Sequence, residues 1–196
     1  LCRNSLPHLL GAWLMESQSI FNAAQVKQLD RPLARENVKQ RKGTGTQQLS
    51  YLAGYQVIET ANNIFGFGNW ATEICHLHQA NRMQYEKPPY SPGQEAKSMV
   101  SIAYTCHLKL FVRSSEEAEW VSHEDIGFGD GVANDSAHGI SSAIELASKE
   151  AVTDALKRCF RYYGNQFGLS LYEKDFAPML ESEILESVLV TEDQLK

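Results

Sequence analysis

One stretch constrains this chain more than any other. From Lys149 to Asn165 it reads Lys-Glu-Ala-Val-Thr-Asp-Ala-Leu-Lys-Arg-Cys-Phe-Arg-Tyr-Tyr-Gly-Asn. Apolar residues recur at Ile144, Ala147, Ala151, Val152, Ala155, Leu156, Cys159, Phe160 and Tyr163, the i, i+3, i+4 rhythm of a helix with one buried face. At about 100° per residue, Lys157 and Arg161 fall together on the opposite face, with Arg158 at its edge. Gly164-Asn165 supplies a stop signal.

What such a helix lies on is written upstream. From Val100 to Arg113, Val100, Ile102, Tyr104, Cys106, Leu108, Leu110 and Val112 alternate with mostly polar partners, which predicts a half-buried strand. Trp70 to His78 and Glu119 to Phe128 read as its neighbours, with Ser114-Ser115-Glu116-Glu117 as a hairpin turn. Residues 79–98, with Pro88, Pro89, Pro92 and Gly93, predict a long polar loop, and Gly129 to Gly139 a second loop. Short helices are expected over Phe21–Leu29 and Leu33–Gln40, then a flexible link over 42–46. A longer helix is expected from Gln48 to Phe65 on a Leu52, Tyr55, Ile58, Ala61, Asn62, Phe65 face, ended by Gly66 and Gly68. Strands clustered and then a helix laid across them give an α+β class, an antiparallel β-β-β meander with one covered face and an N-terminal helical segment.

The net charge of −6 is uneven. Residues 173–196 carry seven acids and two lysines, and the first 14 residues one arginine, so residues 15–172 are at −2. Three cations within five residues of the helix therefore call for a reason. One reading is a solvated ladder, Glu150–Asp154–Lys157/Arg158–Arg161, each pair contributing roughly 0.2–0.5 kcal/mol. The other is an anion site. A second basic patch, Arg35, Lys39, Arg41 and Lys42, is opposed only by Glu36. Residues 1–14 are expected to be a non-native start ahead of Met15 or a targeting remnant, secretion being the weakest reading, and residues 177–196 a poorly anchored acidic tail. No run approaches the length of a membrane span, so no membrane partner is expected. Cys2, Cys75, Cys106 and Cys159 are far apart and read as reduced thiols.

The run from Lys149 to Gly168, together with Tyr51–Trp70 and His123–Gly129 in the same order, resembles the Rad-fifty-two-type single-strand annealing family of recombination mediators. The resemblance covers roughly residues 29–176 and implies a core domain over 15–176 that forms a ring. It implies ATP-independent binding of single-stranded DNA and annealing of complementary strands in double-strand break repair, with no cofactor and no bond chemistry. By residue-to-residue matching, Lys157, Arg158 and Arg161 would line the DNA groove. Arg41, ten residues before Tyr51, would join them. Lys97 matches a family lysine of a second DNA site, Lys174 a family lysine after the Gly-Asn turn, and Tyr51 and Phe128 match aromatic positions that would stack on bases. The implied partners are single-stranded DNA, further copies of the chain, and a recombinase or single-strand-binding protein. The implied place is inside the cell with DNA, whether nucleoid, nucleus or an organelle. Recombinase loading is not expected, because the chain stops soon after the core. One departure stands out: Asp130 to His138, where the family carries a groove lysine, has neither lysine nor arginine. It motivates a rival reading, an oligomeric assembly module with weak DNA contact.

Enzyme readings lack spacing. His76-x-His78 with His107 has no supporting carboxylate or cysteine pattern for a metal. Neighbouring residues of His123-Glu124-Asp125 would point to opposite strand faces. Gly127-x-Gly129-x-Gly131 lacks the continuation of a phosphate loop and reads as a turn.

Overall fold

The computed structural model describes residues 19–43, 45–46 and 48–173. The expectations for residues 1–14, for Lys174 and for the acidic tail lie outside them. The order is α1 (Ala23–Asp30), β1 (Val38–Lys42), β2 (Gln48–Leu52), α2 (Gly54–Phe65), β3 (Trp70–Lys87), β4 (Lys97–Val112), β5 (Val121–Asn134) and α3 (Ala137–Arg161). Short 3₁₀ turns stand at Arg35–Asn37, Asn165–Phe167 and Leu169–Tyr172. β3, β4 and β5 form an antiparallel sheet in that order, and β1 and β2 a separate hairpin. The α+β meander under a long helix is the observed architecture.

The helix-facing side of β4 carries the core. Val100, Ile102, Cys106, Leu108, Leu110 and Val112 are buried, as their alternation predicts. α3 lies across them with Ala143, Ala147, Ala151, Ala155 and Cys159 buried at intervals of four, and Phe160 closes the aromatic end. Phe160 stacks on Phe167 at 4.9 Å and meets Trp70 edge-on at 5.4 Å.

β5 contacts the same helix differently. Gly127, Gly129 and Gly131 are a strand face and not a turn, which corrects the sequence expectation of a loop from Gly129. A Cβ on Gly127 would lie 2.2 Å from the Ala151 carbonyl oxygen, on Gly129 2.3 Å from that of Ala147, and on Gly131 2.4 Å from that of Ala143. The match is metrical. Two strand residues advance about 6.8 Å and four helical residues about 6 Å, so successive glycines meet successive helical turns. Bare glycine lets the two backbones touch.

Three other expectations are corrected. Gln48–Leu52 is a strand, not the first turns of a helix. Its partner Val38–Lys42 takes the last three residues of the stretch expected as a helix over Leu33–Gln40, of which only the 3₁₀ turn Arg35–Asn37 is helical. Most side chains of this hairpin are exposed, so no burial period marked it. β3 continues through the supposed loop to Lys87, pairing with β4 down to Lys87–Lys97. Its outer half is exposed on both faces, Met83 and Tyr85 included, so burial left no alternation to read there. Finally, α2 buries Val57, Ala61, Ile64 and Phe65, which leaves Tyr55 63% exposed instead of packed.

α1 is tied in by one buried amide. Gln25 and Asn22 form a reciprocal cap, and Gln25 Nε2 also donates to the carbonyls of Ile64 (3.3 Å) and Ser114 (3.1 Å). One side chain thereby joins α1, α2 and the β4–β5 turn.

Candidate nucleic-acid interface

The C-terminal half of α3 faces the β1–β2 hairpin across a cleft of about 620 Å³. Arg41 of β1, Tyr51 of β2, and Lys157 and Arg161 of α3 line it. Helical spacing puts the last two one turn apart. Antiparallel pairing sets Arg41 opposite Leu49 and Lys39 opposite Tyr51, so Arg41 and Tyr51 come together from adjacent strands. The Arg41 guanidinium and the Lys157 ammonium each stand 5.9 Å from the Tyr51 ring centroid. Phe167, Gly168, Leu171 and Tyr172 form the floor and rim beyond α3.

The charges here are not paired along the helix as a ladder. Glu150 of α3 lies 3.8 Å from Arg41 of the hairpin, a loose and exposed pair. Asp154 Oδ2 accepts the Phe128 backbone N–H at 3.2 Å, closing part of the β5 edge. Lys157 is left among Arg41 and Arg161. Burial pulls its ammonium below the usual lysine range; Asp154 opposes the shift, Arg41 and Arg161 add to it, and Glu150 opposes. A half-buried cation beside two others is a site that an anion would relieve.

The remaining sequence-derived residues sit elsewhere. Arg158 projects from α3 toward β5, where its Nε and Nη2 both lie 2.9 Å from Asp125 Oδ1, a bond that raises the guanidinium's pKa. Phe128 is 53% exposed on the sheet face that α3 does not cover, because its neighbours Gly127 and Gly129 face the helix. Lys97 opens β4 beside the start of α3; Asp135, just before the helix, donates its backbone N–H to Ser98. Along α3 that is roughly 30 Å from Lys157. The structure thus brings together Arg41, Tyr51, Lys157 and Arg161, and sets Arg158, Phe128 and Lys97 apart from them.

Sequence reasoning missed Asp125 as the partner of Arg158, Glu150 as the partner of Arg41, and Tyr172 altogether. The first two pairs join elements distant in the chain. The last ends the second of two 3₁₀ turns, which carry no apolar period. The triplet His123-Glu124-Asp125 divides between the faces as expected. Glu124 accepts from His107 (2.9 Å) and Lys109 (3.0 Å) on the open face, whereas His123 stacks on Tyr162 at 4.6 Å and Asp125 meets Arg158 on the helix face.

The lowered Lys157 pKa gives a pH prediction. A bound phosphate favours the ammonium and raises its pKa, so binding is coupled to proton uptake. If the cleft takes a polyanion, its affinity is expected to be full below the free Lys157 pKa and to fall as pH rises through it. Lys157→Arg, which stays charged, is expected to flatten that alkaline fall in a titration of affinity against pH. Identical pH profiles for the two proteins would show that Lys157 takes no phosphate.

The sequence matches the Rad52/22 family of double-strand break repair proteins over residues 22–183. It is 33% identical over 162 residues to the DNA repair and recombination protein RAD52 of Candida glabrata, covering 82% of this chain and 28% of the relative. It is 35% identical over 153 residues to RAD52 of Saccharomyces cerevisiae, covering 78% and 28%. With the DNA repair and recombination protein rad22 of Schizosaccharomyces pombe it shares 32% identity over 158 residues, covering 81% and 30%. The chain spans about three-tenths of the length of these relatives. A match over most of the chain, on the fold described above, places this protein in the Rad52/22 family of double-strand break repair proteins.

Proposed function

We propose that this chain binds single-stranded DNA along the Arg41–Lys157–Arg161 cleft and anneals complementary strands without ATP, inside the cell and in double-strand break repair. One observation carries the reading. Three cations from two elements far apart in sequence converge on one cleft, in a chain whose net charge is negative. Cations that track phosphates hold a strand without reading its sequence, which is what annealing of arbitrary complements needs. Arg158, paired with Asp125 outside the cleft, would join the strand contact through the N–H groups that the carboxylate leaves free. Lys97, and Lys174 with it, would serve a second contact, and Phe128 would meet DNA or a neighbouring copy from the open sheet face. Repair relatives support the context, and no catalytic step or cofactor enters the proposal.

The proposal includes a homo-oligomer, closed as a ring. β3 and β5 each pair only with β4 among the described residues, so the β3 edge, and the β5 edge beyond the Phe128 amide that Asp154 caps, would be open to further copies. A recombinase or a single-strand-binding protein is the proposed protein partner.

The test is annealing of two complementary fluorophore-labelled oligonucleotides without ATP. Acceleration over the spontaneous rate is expected. A well-folded oligomer that leaves the rate unchanged would sink the annealing reading. The rival, an assembly module with weak DNA contact, is favoured by the Asp125–Arg158 pair and by residues 130–138, which lack lysine and arginine. On that reading Arg158→Glu changes oligomer size, read by sedimentation. On the annealing reading it lowers strand affinity at unchanged size.

A further inference from the structure

The rim of the cleft carries an exposed aromatic ring that none of the sequence matching reached. Tyr172 ends the 3₁₀ turn Leu169–Tyr172 and is 67% exposed on the cleft rim. The Arg161 guanidinium lies 4.5 Å from its ring centroid. The turn that carries it is anchored. Gly164 (φ +108°) and Gly168 (φ +85°) take backbone conformations that other residues rarely adopt. Around them Ser170 is buried and Leu171 packs against the main core. The ring is therefore presented to solvent from a fixed support.

Arginine is suited to a double role at this point. Its flat face stacks on an aromatic ring while its N–H groups radiate from the edges of the same plane. Arg161 can thus rest on Tyr172 and still donate to a phosphate. The exposed part of the Tyr172 ring then lies next to the phosphate position, where a nucleotide's own base hangs. Tyr51 differs: it is half-buried, with two cations at 5.9 Å.

We propose that Tyr172 is a base-stacking platform at the rim of the cleft, holding one nucleobase of the single strand whose phosphate Arg161 binds. The proposal rests on the DNA-binding reading above. It predicts little sequence preference, since every base offers a π-face.

The test compares the parent chain, Tyr172→Phe and Tyr172→Leu for equilibrium binding to a labelled oligo-dT and to an abasic strand of equal length. Thermal melting and sedimentation check that each variant is folded and of parental size. Stacking predicts that Tyr172→Leu weakens oligo-dT binding about five- to fiftyfold, that Tyr172→Phe stays near the parent, and that the abasic strand scarcely distinguishes the three. The slope of affinity against salt should not change, because no phosphate contact is lost. If Tyr172→Leu binds oligo-dT like the parent, or loses equally on both strands, the tyrosine only positions Arg161 and the platform is refuted. If the parent binds neither strand, the DNA-binding reading fails and takes this proposal with it.

Discussion

Replacing Lys157 and Arg161 together by alanine is expected to lower single-strand affinity by about a hundredfold or more at moderate salt. On the proposed function each side chain would supply a charge-assisted contact worth roughly 1.5–3 kcal/mol, and two such losses reach that range. The salt dependence identifies the mechanism. A lost phosphate contact on a single strand removes about 0.7 from the slope of log affinity against log salt, so the double variant should lose about 1.4. Both residues are at least partly exposed on α3 and outside the alanine row that packs the sheet, so the fold should survive. Lys109→Ala is the charge control, compared per cation removed. That lysine pairs with Glu124 on the sheet face away from α3, and its loss should leave binding unchanged. Equal losses per cation in the double variant and the control would mean that binding follows overall charge and not this cleft. An unchanged slope in the double variant would mean that the strand runs elsewhere.

The two halves of this site were unequally legible. Lys157 and Arg161 could be placed together from sequence, because a helix of fixed period with an unmistakable apolar stripe decides which residues share a face. Arg41 could not. Its strand pairs with β2 on an exposed hairpin whose residues bury little, so burial left no pattern, and Leu52 and Tyr55 suggested a helix continuing backward. Only the family resemblance connected Arg41 with Tyr51. Arg158 shows the limit of periodicity from the other side. Its face was readable, but its partner Asp125 belongs to a strand reached only through tertiary packing. β4 was legible because its two faces differ. The outer half of β3 was not, because its two faces are alike.

The glycine run of β5 was misread for a physical reason, and its correction gives the largest expected effect on stability. Glycine usually marks turns, since it tolerates backbone conformations closed to other residues. None of Gly127, Gly129 and Gly131 has a positive φ. They are glycine because there is no space for a side chain. Gly129→Ala would drive a Cβ to 2.3 Å from the Ala147 carbonyl oxygen and 2.4 Å from the Ala151 nitrogen. Both are backbone atoms of a helix in mid-span, which cannot rotate aside, so α3 must lift from the sheet. Overpacking costs typically 1–3 kcal/mol, and a clash with rigid backbone on both sides belongs at or above the top of that range. For a chain of this size, 3 kcal/mol or more corresponds to a fall in melting temperature of about 6–12 °C or beyond. Gly93→Ala separates this from a generic glycine effect. There φ is +89° and nothing lies within 4 Å, so the cost is backbone strain alone, about 1–2 kcal/mol. The helix that lifts is also the one carrying Lys157 and Arg161 toward Arg41. Strand affinity should therefore fall in Gly129→Ala at temperatures where the protein is still folded, although the substitution touches no cation. Melting of Gly129→Ala within about 2 °C of the parent would show that the two backbones are not in contact, and the helix would then have to be held by the alanine row against β4 alone.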